Sequence, residues 1–310
     1  MVELYREHRP KKFNHVVGQS STLKLLQNYL TGDNFPHALL LTGPSGVGKT
    51  TIGRILASEL GCHKDEYQEL NTADFRGIDM VREIRENLNY GPMRGKVKVW
   101  LIDECHALTK NAQEAFLKLL EDPPEFAYFM LATTDPGKLL PTVKTRCAQA
   151  PLKALTPATM TKFLIKFAAQ NIPDFVLTEE AAAMITEKSF GSPRQALVSL
   201  EGLAAQDEEE QQKYLENLGV AETQSIELCR ALIGGAKWKE VAELLKGLKE
   251  ADPEDIRRHV LGYARTVLLG TGPGASRAFL VIDSFRDNFY DSKHAGLAGA
   301  CWEVRNGEGK

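Results

Sequence analysis

The chain has 310 residues, more than one ordinary core holds and enough for two or three domains of roughly 100–200 residues each. A composition of 43% hydrophobic and 25% charged residues excludes a disordered, collagenous or membrane-embedded chain. The net charge of −3 gives no bulk electrostatic sign of a nucleic-acid partner.

In chain order, the segment from Met1 to Pro10 is charged and has no apolar stretch of signal-peptide type. Residues 37–151 then alternate short apolar runs with helical patterns, the signature of parallel strands joined by crossover helices. Strands are predicted at 37–42, 67–71, 97–102, 126–132 and 148–152, and their near-continuous hydrophobicity fits a sheet covered on both faces. After Leu155 the strand signal ends. Helices are predicted at about 157–170, 178–188 and 193–205, with start signals at Thr156-Pro157, Thr178-Glu179-Glu180 and Ser192-Pro193. The polar run 206–212 is read as an exposed helix face or a hinge, and more amphipathic helices follow to the end. The chain therefore reads as an α/β domain over 1–155, a helical domain over 156–212 and a second helical domain over 213–310. Cysteines 62, 105, 147, 229 and 301 are scattered without a C-x-x-C pair, which disfavours disulfides and zinc and fits a reducing cytoplasm.

The strongest motif is Gly43-Pro-Ser-Gly-Val-Gly-Lys49-Thr50, which matches G-x-x-x-x-G-K-[ST] between a strand and a helix. Its glycines let successive backbone N–H groups face phosphate oxygens, and the helix that follows turns its positive end to the same charge. Ser45, Gly46, Val47, Gly48, Lys49, Thr50 and Thr51 are accordingly the expected phosphate-binding residues. Lys49 would reach the terminal phosphates, and the Thr50 hydroxyl would ligate Mg²⁺. The strand around Val99 ends in Asp103-Glu104: one carboxylate suits the metal, and the next suits the activation of a water. Asp103 is assigned to Mg²⁺ and Glu104 to water, while Cys105 and His106 are read as packing residues.

These parts specify a nucleoside-triphosphatase without saying which. Downstream, in Leu131-Ala-Thr133-Thr134-Asp135-Pro136, a hydroxyl could sense the terminal phosphate or polarise the water. Arg146 in Thr145-Arg146-Cys147 could act across a subunit boundary, and Arg194 in Gly191-Ser-Pro-Arg194 could fold back onto bound phosphate.

The order of these boxes resembles the AAA+ ATPases and, within them, clamp-loader subunits. Arg9-Pro10 and Val16-Val17-Gly18-Gln19 are similar to the opening box of that family, whose members use it to line the adenine pocket. The segment Leu119-Leu-Glu-Asp-Pro-Pro124, the Ala-Thr-Thr-Asp box and Lys144-Thr-Arg-Cys147 resemble the gamma/tau subunits of bacterial DNA polymerase III. By that resemblance Thr134 stands for sensor 1, Arg146 for the arginine finger and Arg194 for sensor 2. The stretch Asn71-Thr-Ala-Asp-Phe-Arg76-Gly-Ile-Asp79-Met-Val-Arg82 is similar to replication factor C small subunits, and the resemblance implies DNA-backbone contacts by Arg76 and Arg82. From the residues alone, Arg82 and Arg85 are equally readable as solvated helix residues paired with Glu83 or Glu86.

Three departures stand out. The four-cysteine zinc module of gamma/tau is missing around Cys62, so no zinc is expected. Thr145 replaces the usual Ser. No tau-like extension is expected after the last helical domain. The resemblance implies an Mg-dependent ATPase subunit, stimulated by DNA and clamp, that loads a sliding clamp onto primer–template DNA. It would work in a ring with copies of itself and at least one other subunit, in the cytoplasm and away from membranes. A branch-migration motor, a nucleotide-binding scaffold that never hydrolyses and a small-molecule kinase are the rival readings. The first would need a winged-helix domain for which 213–310 shows no β signal.

Overall fold

The computed structural model describes residues 3–32, 35–72, 77–249, 251–270, 272, 274–289 and 292–307, apart from the side chains of 216–223. The chain divides into two units, Met1–Ala205 and Gln206–Lys310.

In the first unit, strands β1 (Ala38–Thr42), β2 (Tyr67–Asn71), β3 (Lys98–Asp103), β4 (Ala127–Thr133) and β5 (Ala148–Pro151) form one parallel sheet in the order β2-β3-β4-β1-β5. All five predicted strands are present, with ends moved by at most one residue. Successive side chains on a strand point to opposite faces, and here both faces are apolar. Leu40, Trp100, Ile102, Phe129 and Leu131 pack on one side against helices α4 (Ile78–Asn87) and α5 (Lys110–Glu121), through Val81, Ile84, Phe116 and Leu119. Leu39, Leu41, Val99, Leu101 and Met130 pack on the other against α2 (Ser20–Thr31) and α3 (Lys49–Glu59), through Leu26, Ile52, Ile55 and Leu56. This two-sided burial is why the strands read as unbroken apolar runs.

The connection from β1 through α3 to β2 crosses to the far edge of the sheet, so β1 lies between β4 and β5. A crevice at the carboxyl ends of the strands is where such sheets bind ligands. Helix α1 (Leu4–Glu7) precedes the sheet, and α6 (Pro141–Arg146) leads into the edge strand β5. Three helices complete the unit: α7 (Pro157–Asn171), α8 (Glu179–Lys188) and α9 (Pro193–Ala204). Their caps are the hydroxyls expected from the sequence. Thr156, Thr178 and Ser192 accept from the backbone N–H of Thr159, Ala181 and Gln195, each worth about 1 kcal/mol of helix stability.

The second unit consists of α10 (Glu208–Gly234), α11 (Trp238–Gly247), α12 (Pro253–Leu269), α13 (Ala275–Ser284) and α14 (Lys293–Asn306), around Leu228, Val241, Val260, Val281, Phe285 and Cys301. The polar run 206–212 opens α10: Asp207 caps the helix by accepting from Glu210 N–H, and Glu208, Glu209 and Glu210 face the positive end of its dipole. Burial pushes the Cys147, Cys229 and Cys301 thiols up to about 12, which makes them inert packing groups.

Candidate nucleotide-binding and catalytic site

The loop after β1 turns tightly over the sheet because its glycines take left-handed conformations. Gly43 has φ 148°, and an added Cβ there would collide with the Leu152 carbonyl; Gly46 has φ 73°, and a Cβ there would strike Ser192 at the start of α9. The loop ends at α3, whose first residue is Lys49. Only 6% of Lys49 is exposed, and its ammonium donates to the carbonyls of Gly43 (2.8 Å) and Pro44 (2.9 Å). Burial holds the ammonium below its usual range, against the opposing pull of Glu104 and Asp103.

The neighbouring hydroxyl of Thr50 donates to Asp103 Oδ2 at 2.7 Å and so ties α3 to the end of β3. Asp103 Oδ1 accepts from Glu104 N–H at 3.0 Å. Glu104 itself has φ 50°, a left-handed conformation that is uncommon outside glycine. The buried hydroxyl of Thr72 faces the carbonyls of Asp103 (3.1 Å) and Glu104 (2.6 Å) and holds this turn in place.

The Glu104 carboxylate is directed from the far side. Thr134 Oγ1 donates to its Oε2 at 3.1 Å, and His106 Nδ1 lies 3.3 Å from the same oxygen and 3.1 Å from Thr133 Oγ1. Burial alone would push this carboxyl up. The hydrogen bond from His106, the Lys49 charge and the Thr134 hydroxyl outweigh it, and the group lies below the usual carboxylate range. Glu104 is thereby kept ionised, as a group that accepts a proton must be.

Lys49, Thr50, Asp103 and Glu104 share one cavity of about 760 Å³, within the range of small-molecule sites. Arg9, Pro10, Val16 and Val17 line it together with Ser45, Gly46, Val47, Gly48, Lys49, Thr50, Thr51, Asp103, Glu104 and Arg194. One guanidinium nitrogen of Arg9, Nη1, is buried without a hydrogen-bond partner, and burial lowers that group's basicity. A buried donor with nothing to bond to is costly and marks this wall as built for an acceptor from outside the chain. Arg194 stands on the second residue of α9 with its guanidinium 5.5 Å from the Tyr5 ring centre, a cation–π contact. Gln19, also left-handed at φ 58°, is bonded through its side chain to both backbone groups of Lys153, which fixes the opening box against the exit of β5.

Two of the sequence-predicted residues, Arg146 and Arg82, do not join this group. Arg146 does not line the cavity: it ends α6, where it bonds Glu121 and the Thr142 carbonyl. Arg82 is exposed on α4 and pairs with Asp79, one turn earlier, at 2.8 Å, whereas Glu83 and Glu86 were the expected alternatives. Arg76 lies outside the described residues. Thr72, His106 and Tyr5 were not expected at the site. The only trace of His106 in the sequence is its place two residues after the acidic pair.

The donor set fits Mg²⁺: the Thr50 hydroxyl and Asp103 carboxylate already touch, and a hard cation takes oxygen ligands of this kind.

The family model of the DNA polymerase III delta subunit matches residues 70–156. Over 298 residues the chain is 31% identical to the DNA polymerase III tau subunit of Bacillus subtilis, covering 87% of this chain and 52% of that protein. It is 32% identical over 240 residues to the gamma/tau subunit of Mycobacterium tuberculosis, covering 70% and 41%. Over 173 residues it is 40% identical to the tau subunit of Escherichia coli, covering 49% and 27%. The chain thus spans about half or less of each of these three relatives. Among solved structures, RuvB, the Holliday junction branch migration motor of Thermotoga maritima, has a similar fold, with a TM-score of 0.59 and 24% identity over 73% of this chain and 79% of that one. A variant of the same protein gives a TM-score of 0.62 at 22% identity, over 86% and 93%.

Proposed function

We propose that the chain is an AAA+ ATPase of clamp-loader type, which hydrolyses ATP as one subunit of a ring that loads a sliding clamp onto primer–template DNA. The observation that carries this reading is the convergence of Lys49, the Thr50–Asp103 pair and Glu104 in one cavity that is also lined by Arg9 with its unpaired donor.

In this reading the adenine lies against Arg9, Pro10, Val16 and Val17, and the phosphates lie on the N–H groups of residues 45–51. Lys49 exchanges the Gly43 and Pro44 carbonyls for the β- and γ-phosphates. Magnesium, when held by Thr50 and Asp103, supplies neutralisation of phosphate charge. Glu104 accepts a proton from the attacking water, Thr134 fixes the side of the carboxylate away from that water, and Arg194 turns from Tyr5 to the terminal phosphate. Arg146 serves the neighbouring subunit's site, which is consistent with its position on α6 away from the cavity of its own chain.

The remaining organisation follows from the same reading. Residues 1–155 are the ATPase domain; the lid ends at Ala205 rather than at 212, because α10 opens at Glu208 within the second unit, and 206–310 are the collar that joins copies of this chain and at least one other subunit. Arg82 and Arg76 contact backbone phosphates of the duplex. The protein works in the cytoplasm; among the described residues no helix is long and apolar enough to cross a membrane.

The test is steady-state phosphate release by the purified loader assembly with Mg²⁺ and ATP, adding primer–template DNA and a sliding clamp singly and together. Stimulation by both together beyond the sum of each alone supports the reading. Turnover indifferent to either overturns it, and stimulation by four-way junction DNA in their place would favour a branch-migration motor.

A further inference from the structure

The catalytic proposal uses one oxygen of Glu104, and the structure holds the other. Oε2 faces two groups at hydrogen-bond distance, the Thr134 hydroxyl at 3.1 Å and His106 Nδ1 at 3.3 Å. We propose that His106 is a positioning residue which, with Thr134, anchors Glu104 through Oε2 and leaves Oε1 as the atom that takes the proton from water. This rests on the ATPase reading and assigns a role to a residue that the reading does not use.

Three observations support it. First, the backbone of Glu104 is in the left-handed region, so its side chain leaves β3 in a direction that the strand does not set. A carboxylate on a two-carbon stem then needs contacts of its own to stay in one orientation, since a misplacement of about 1 Å can cost on the order of 100-fold in rate. Second, His106 is well fixed. It sits on the short turn Cys105–Ala107, next to the fully buried Cys105, its side chain is 16% exposed, and Nδ1 also lies 3.1 Å from Thr133 Oγ1. Thr133 is fully buried at the end of β4, so the ring is braced against the sheet rather than against a mobile neighbour.

Third, the chemistry selects one tautomer. Nδ1 lies between Glu104 Oε2 and Thr133 Oγ1; unprotonated, it would set its lone pair against those of the carboxylate oxygen, whereas Nδ1–H donates. The ring then works as a donor on a rigid mount. The hydroxyl of Thr134 comes from the loop after β4 and approaches the same oxygen, so the two donors restrain rotation of the carboxylate from separate elements.

The experiment compares His106→Ala and His106→Asn with the unaltered chain in the loader assembly. Asparagine can present an N–H donor close to where Nδ1 stands. His106→Ala is expected to lower kcat by about 10- to 100-fold while KM and nucleotide affinity stay within about twofold, and His106→Asn is expected to recover most of the loss. In a Glu104→Gln background, His106→Ala should change the residual rate little, because the group it positions is already disabled. Equal losses in the Ala and Asn variants, an unchanged kcat in His106→Ala, or full additivity with Glu104→Gln would each overturn the proposal. An unaltered chain that fails to hydrolyse ATP would instead overturn the ATPase reading, so the two failures are separable.

Discussion

Thr50 and Asp103 are 53 positions apart, yet the hydroxyl of one donates to the carboxylate of the other at 2.7 Å. This bond joins the first turn of α3 to the end of β3, and it brings together the two oxygen donors best suited to Mg²⁺. Thr50→Val keeps the shape of the side chain and removes the hydroxyl. Because a hydrogen bond to a charged group is worth about 1.5–3 kcal/mol, the variant should lose about that much stability in urea unfolding. It should also need far more Mg²⁺ to reach half-maximal turnover. An unchanged Mg²⁺ requirement would remove Thr50 from the metal site.

Gly46 sets the closeness of α9 to the phosphate loop. Its φ of 73° and the absence of a Cβ let Ser192 and Arg194 stand directly over it. Gly46→Ala imposes a left-handed strain of roughly 1–2 kcal/mol and forces α9 outward. Calorimetric titration should show weaker ATP binding by about 5- to 30-fold. Binding at the original affinity would mean that α9 has no part in holding nucleotide.

Acid stability should report on Glu69. Arg54 bonds both of its carboxylate oxygens, at 2.7 and 2.9 Å, and the Tyr67 hydroxyl adds a third bond at 3.0 Å. Burial opposes ionisation, but the Arg54 and Tyr67 bonds prevail and the carboxyl lies below its usual range. A carboxyl depressed on folding contributes stability above its unfolded value of about 4.3, and that contribution is lost as pH falls through the lower folded value. Unfolding midpoints from pH 6 downward should therefore drop more steeply in the unaltered chain than in Glu69→Gln. Parallel curves would show that the Arg54 cluster does not bias ionisation.

Much of this could be read in the sequence, for a reason visible in the packing. The strands were legible because both faces of β1, β3 and β4 are covered, so no polar alternation interrupts residues such as Leu39, Leu40 and Leu41. The phosphate loop was legible because its chemistry lies within eight consecutive residues. Contacts that join distant positions left no local signal. Thr72 looked like any strand-end threonine until its hydroxyl met the carbonyls of Asp103 and Glu104, and His106 looked like packing until its ring met Glu104 and Thr133. Arg82 shows the complementary limit. Its helix was legible, but its pairing with Asp79 depends on which of several acids one turn away the side chain meets.

That pairing is also weak, since both side chains are largely exposed, at 64% and 87%. Arg82 is therefore available to a phosphate at little cost. Arg82→Glu should weaken binding of primer–template DNA alike for all sequences, and it should make the dependence of log K on log salt shallower by about one contact, with ATP affinity preserved. Unaltered DNA affinity at fixed salt would exclude α4 from the DNA surface.

The central claim is that each catalytic site is built from two subunits, with Glu104 from one and Arg146 from the next. The most direct measurement is phosphate release by Glu104→Gln protein, by Arg146→Ala protein and by their mixture, in the presence of primer–template DNA and clamp. Each variant alone should be nearly inactive, given that an arginine acting in trans contributes on the order of 10³–10⁵ in rate. The mixture should regain turnover, because sites that pair an intact Glu104 with a neighbour's intact Arg146 then form. A mixture as inactive as its components, or an Arg146→Ala protein as active as the unaltered chain, would contradict the account.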